Sequence, residues 1–182
     1  MPRIPVLGAS LLSLMALPPA AFAQSATAEL VGNPNAGGEN IAGTATFTQT
    51  PSGTIHILVD GRGFPPGPHA VHVHEAGICD TASGFESAAG HVADGLTHGL
   101  AAEEGPHPGD LPNLHAQEDG IIRAEFFTRG FTLEQDEGLE RIFDDDGSSI
   151  VVHTGADDYR SQPSGDSGDR LACGVIEPDE RQ

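Results

Sequence analysis

Ile41-Ala-Gly-Thr-Ala-Thr-Phe-Thr-Gln-Thr50-Pro-Ser-Gly-Thr-Ile-His-Ile-Leu-Val-Asp60 is a pair of β-branched runs hinged on Pro51-Ser52-Gly53. Val, Ile and Thr are stiff at χ1 and fit a pleated surface, while Pro, Ser and Gly supply a turn. The stretch therefore reads as a hairpin of two strands, Ile41–Thr50 and Gly53–Asp60. Working outward, similar runs predict strands at Ala26–Val31, His69–His74, Leu114–Gln117, Ile121–Thr128, Ser148–Thr154 and Ala172–Ile176. Glu118-Asp119-Gly120 reads as a second tight turn. Helical periodicity is almost absent. Eight short strands predict an all-β domain, a sandwich or barrel that admits Greek-key connections.

Between the strands lie two long connections, residues 75–113 and 155–170, with no convincing strand or helix pattern. Long structureless connections in a compact domain are functional or disordered. A third, residues 131–147, holds Asp144-Asp145-Asp146-Gly147 and reads as a solvated turn. The tail Glu177–Gln182 reads as frayed.

The chain opens with Arg3, a short apolar run from Ile4 to Leu17, and Ala21-Phe22-Ala23 before Gln24. A positive start, an apolar core and a small-x-small end are the pattern of a secretory signal peptide over residues 1–23. Residues 24–182 then form one domain, with no segment long and apolar enough to span a bilayer. The expected location is outside the cytoplasm, the periplasm ahead of the medium. The chain has eight basic and 27 acidic residues, every basic one being arginine. Without residues 1–23 the net charge is −20, which disfavours nucleic acid and anionic membranes as partners. Cys79 and Cys173 are the only cysteines, and an oxidising compartment would join them. Closing so long a loop is worth about 4–5 kcal/mol in the chain-entropy model.

Chemistry concentrates in His72-Val73-His74, His91, His98, His107-Pro-Gly-Asp110 and a distant His153. Alternate strand positions share a face, so His72 and His74 form a two-imidazole platform while Val71 and Val73 face the core. His153 ends an apolar strand. The ligand-type residues of the long connection are interleaved with glycines that let the backbone bring separated side chains to one point. Imidazoles suit copper and zinc, and one carboxylate among three imidazoles suits a closed, tetrahedral zinc site.

His69-Ala-Val-His-Val-His74, Ala89-Gly-His91, His107-Pro-Gly-Asp-Leu-Pro-Asn113, Val151-Val-His153 and Gly168-Asp-Arg-Leu-Ala-Cys-Gly-Val-Ile176 closely resemble copper/zinc superoxide dismutase, from about Ala26 to Ile176. The resemblance implies an eight-stranded, immunoglobulin-like Greek-key β-barrel with two long functional loops. It implies one copper per subunit on His72, His74, His91 and His153. It also implies one zinc on His91, His98, His107 and Asp110, with His91 bridging. Arg170 resembles the arginine beside copper, Asp157 the carboxylate linking a copper histidine to a zinc histidine, and Cys79–Cys173 the family disulfide. The implied reaction is dismutation of superoxide to dioxygen and hydrogen peroxide, with Arg170 and His91 as the catalytic groups. The chain would be a monomer or a homodimer.

Some features depart from that pattern. The stretch from His153 to Arg170 lacks the lysine and glutamate cluster of the animal enzymes, and Arg160 is its only other cation. A slower, less salt-sensitive encounter with substrate is expected. Val92 stands where an aromatic usually follows the bridging histidine, and looser packing is expected there. His56, His115, His69 and Asp158 read as surface or structural groups. The rival readings are a non-catalytic periplasmic copper/zinc buffer, a copper-free interaction domain and a zinc hydrolase. No ligand is missing, as it would be in the second. Asp110 closes the site that the third needs open.

Overall fold

The computed structural model describes residues 24–134 and 139–179, so the expected signal peptide lies outside the described residues. The strands are β1 (Gln24–Gly32), β2 (Ala42–Gln49), β3 (Ile55–Arg62), β4 (Gly67–His74), β5 (Asp110–Ala116), β6 (Ile122–Thr128), β7 (Phe131–Thr132), β8 (Glu140–Arg141), β9 (Ser149–His153), β10 (Arg170–Val175) and β11 (Glu177–Pro178). There is no α-helix among the described residues, only short 3₁₀ turns such as Thr81–Ser83 and Glu86–Ala88.

Hydrogen bonds link the main strands in the order β5-β4-β9-β10-β1-β2-β3-β6, with neighbours along this path antiparallel. The ends of that path, β5 and β6, are joined by a turn in which Gln117 N–H donates to Ile121 O at 2.9 Å. This nearly closes the barrel. The connection from β3 to β4 passes over β6 and β5, and the one from β6 to β9 passes over β5 and β4. Those two crossings make the topology Greek-key.

Alternation supplies the core. On β3, Ile55, Ile57 and Val59 point inward and meet Ala45 and Phe47 of β2 and Ala26, Ala28 and Leu30 of β1, all buried. Phe47 is fully buried, so truncating it to alanine should cost about 3–5 kcal/mol.

Three expectations need correction. The fifth strand starts at Asp110 rather than Leu114, although Pro112 argues against a strand. Proline is tolerated there because β4 and β5 slip register between His69 and Val71, leaving Pro112 in a bulge. The acidic connection carries the short parallel pair β7–β8, anchored by buried Phe131, Leu133 and Ile142. The tail is tied down as far as Asp179. β11 pairs with β1, and Asp179 N–H donates to Ser25 O at 3.0 Å.

Candidate metal centre

His72 and His74 do leave β4 on the side away from Val71 and Val73. That side is covered by the two long loops, so both imidazoles are buried, at 0% and 1% exposure. β9 lies beside β4, with His72 opposite Val151, and brings His153 alongside. His91 arrives from the loop through a β-bridge to His74. One donor atom from each of His72, His74, His91 and His153 falls within 4.8 Å of the other three.

Which nitrogen faces the centre is set by what holds the other one. His72 Nε2–H donates to Asp157 Oδ2 at 2.9 Å, and His74 Nδ1–H donates to Ala89 O at 3.0 Å. His153 Nδ1 is 3.3 Å from Gly168 O and 3.2 Å from Ser167 Oγ. The opposite atoms, His72 Nδ1, His74 Nε2 and His153 Nε2, are buried without a hydrogen-bond partner. A buried, unpaired polar nitrogen is costly. Three of them beside one another offer lone pairs of the kind that could hold a copper or zinc ion.

A second cluster surrounds Asp110 at the start of β5. Its Oδ1 lies 2.9 Å from His91 Nδ1, 3.0 Å from His98 Nδ1 and 3.3 Å from His107 Nδ1. His107 Nδ1 is 3.4 Å from His91 Nδ1. Metal–donor bonds of about 2.0 Å in a tetrahedron give donor–donor edges of about 3.3 Å, so the four atoms fit zinc. His72 comes near this group too, but its Nε2 is engaged by Asp157. His91 offers Nδ1 here and leaves Nε2 for the first cluster.

Between the clusters sits Asp157, 3% exposed, whose Oδ1 accepts from His98 Nε2–H at 3.0 Å while Oδ2 accepts from His72. Asn113 clamps its backbone from both sides at 2.8 and 2.9 Å. Gly165, at φ +72°, leaves the room: a Cβ there would lie 1.8 Å from Asp157 Oδ1.

The protonation states suit metal binding. Burial lowers His91 to about 4, against the raising effect of Asp110, and lowers His153 to about 3. Burial also holds His74 well below its ordinary value, helped by His91, His153 and Arg170. Burial would raise both carboxyls, but hydrogen bonds outweigh it. His91 and Gly99 N–H hold Asp110 low, and His72 and His98 hold Asp157 low. Near neutrality His74, His91 and His153 therefore keep free lone pairs, and the carboxylates of Asp110 and Asp157 are charged.

Residues 41–176 match the family model for copper/zinc superoxide dismutase. The chain is 41% identical over 175 residues to copper–zinc superoxide dismutase 2 of Aquifex aeolicus, covering 94% of this chain and 96% of that one. It is 43% identical over 143 residues to the copper–zinc enzyme of Caulobacter vibrioides, covering 78% and 81%. A double mutant of a SOD-like protein from Bacillus subtilis superposes with a TM-score of 0.74 at 34% identity, covering 82% of this chain and 95% of that one. The chain belongs to the copper/zinc superoxide dismutase family. Its activity is the dismutation of superoxide, with copper and zinc as cofactors.

Arg170 opens β10 opposite His153 and faces a cavity of about 440 Å³ lined in part by His74, His91, His107 and His153. Its guanidinium donates to Phe85 O at 2.6 Å and Ala89 O at 2.7 Å. Both carbonyls belong to the loop that the Cys79–Cys173 disulfide ties back to β10. Phe85, Ala88, Val151 and Cys173 form a small apolar core beneath that loop. Ala89 has φ +62° and ψ −148°, a conformation nearly confined to glycine, and its carbonyl serves both His74 and Arg170.

The remaining histidines are accounted for. His69 is braced between His153 O at 2.7 Å and Pro65 O at 2.8 Å. His56 stacks on Phe127 and meets Glu125 at 2.8 Å, and His115 is exposed. Asp158 caps a turn at Arg160 and Ser161. Val92 is 4% exposed and belongs to the main core. Sequence reading missed Ser167 and Gln162, the second of which brackets His98 by its amide at 3.1 and 2.8 Å. It quoted Ala89 and Asn113 without a role. Both lie inside recognisable motifs, and that was the signal that could have exposed them.

Proposed function

We propose that His72, His74, His91 and His153 hold the copper, that His91, His98, His107 and Asp110 hold the zinc, and that Arg170 and His91 serve the reaction directly. The observation that carries this is the trio of buried, unpartnered nitrogens on His72, His74 and His153, each backed by a held opposite nitrogen. Copper, when bound, supplies the one-electron oxidant and reductant through which two superoxide anions and two protons become dioxygen and hydrogen peroxide.

The chain's own contributions follow from its geometry. Arg170, fixed by two carbonyls, presents its remaining donors to a small anion entering the cavity. His91 Nε2 takes up and releases a proton while Nδ1 stays with the Asp110 group. Asp157 fixes the ring orientations of His72 and His98 together, so one carboxylate positions a histidine of each site. The reading of a buffer that only stores metal leaves Arg170 without a task.

Residues 1–23 are proposed to direct export to the periplasm, leaving a domain of residues 24–182. The Cys79–Cys173 disulfide supports an oxidising compartment. A single chain contains both clusters, so the site is complete in a monomer.

The test is dismutation by the protein reconstituted with copper and zinc, with metal content measured beside an Arg170→Ala variant. Copper-dependent activity, two metals per chain and a drop of about tenfold or more in the variant are expected. Two metals bound with no activity above free-copper controls would overturn the reading.

A further inference from the structure

Arg170 has one polar neighbour that the reaction does not require. Glu86 Oε2 lies 3.6 Å from its Nη2, with Glu86 75% exposed and Arg170 only 15%. The arginine is already fixed by Phe85 O and Ala89 O, so the carboxylate is not needed to hold it. An exposed pair contributes little to stability. Glu86 also lines the cavity that leads to the clusters, with Glu75 and Asp169 beside it. Arg170 is the one cation among the residues lining that mouth, against three carboxylates. A catalyst for an anion gains nothing in rate from such a mouth.

We propose that Glu86 is a charge filter on Arg170: it slows entry of a monoanion moderately and excludes multiply charged anions strongly. The inference rests on the dismutase reading of the site and names what selects its ligand. Its physical content is a power law. The energy between a fixed charge and a ligand scales with the ligand's charge, so the affinity factor for a dianion is the square of that for a monoanion. Sulfate and other dianions share the donor geometry that attracts superoxide to a guanidinium fork. Charge is what distinguishes them from it.

The experiment compares the copper- and zinc-loaded protein with its Glu86→Gln variant and with Glu118→Gln, which removes the same charge from the exposed β5–β6 turn. Azide affinity is read from its optical band on copper, and sulfate affinity from competition with azide at constant low ionic strength. Glu86→Gln should tighten azide about threefold, the size of one charge acting across roughly 7 Å of water, and sulfate about tenfold. Its dismutation should rise by a similar small factor at low ionic strength, and the difference from the parent should shrink as salt screens the removed charge. Melting temperature and metal content should match those of the parent.

Equal effects of Glu86→Gln and Glu118→Gln overturn the proposal, because net charge alone would then account for them. An equal factor for azide and sulfate also overturns it, since that marks a rearranged Arg170 rather than a removed charge. A parent protein that binds azide and dismutates superoxide while either result is found loses only the filter. A parent with neither property loses the dismutase reading, and the filter with it.

Discussion

Two kinds of scaffold meet at this centre. His72, His74 and His153 stand on neighbouring strands, where sheet register places them and brings their unpaired nitrogens together. His98 and His107 stand on a long loop whose nearest order comes from Asp110: Oδ2 accepts from Gly99 N–H at 2.8 Å and His107 N–H at 3.1 Å. The strand-borne site is built by the fold. The loop-borne site is built by its own ligands, and a loop with little apolar area depends on them to offset its ordering entropy. An ion bound at the second site should therefore contribute folding free energy, while one at the first mainly adds chemistry.

The sharpest break in that comparison comes from His74→Ala. It should reduce dismutation by about three orders of magnitude or more, to the level of the copper-free protein, while zinc content and fold persist. Zinc lost along with copper would show that the strand site is not independent of the loop. Asp110→Ala should act in the opposite sense. Zinc affinity should fall at least about a hundredfold, with proteolysis opening within residues 93–109 and the barrel intact. A loop that resists protease as well as the parent would mean the ion is not its organiser.

Acid titration of the metal-free protein separates the clusters by proton uptake. The folded values of His91 and His153 are depressed to about 4 and about 3, so the unfolded chain takes up protons first as pH falls. Stability is then complete above the ordinary imidazole value and lost from about pH 6.5 down to about pH 4 for His91 and about pH 3 for His153, with about 3 kcal/mol from His91. Asp110 and Asp157 are depressed below the usual carboxylate range, so their contributions disappear only at lower pH. Urea denaturation at several pH values reads this directly. A profile flat between pH 6.5 and 4.5 would contradict the burial of neutral imidazoles.

Asp157→Asn should have the smallest effect, and it tests whether the two scaffolds are coupled. Losing one of its two accepting oxygens should weaken metal affinity about 10- to 100-fold. Competition with a chelator for each metal would show whether the loss falls on both sites, as a bridge from His72 to His98 requires, or on one.

Much of this was legible before folding. β-Branched runs and turn residues located eight strands, because side-chain shape and the period of two are local properties. The donor residues were legible because imidazole and carboxylate chemistry travels with the residue type. β7 and β8 were not: two-residue strands leave no periodic trace, and only burial of Phe131 and Leu133 gives them purpose. Pro112 misled for a local reason, since its tolerance depends on a bulge set by a neighbouring strand.

The amino-acid order alone therefore determined the all-β class, the donor set and its sequence, and the acidic character of the surface. Tertiary structure decided which nitrogen of each histidine is free, that one carboxylate ties His72 to His98 across separations of 85 and 59 residues, and that Ala89 O and Glu86 meet Arg170. The physical reason is direction. A residue type states what a group can bond, but where its lone pairs and charges point is set by partners distant in the chain.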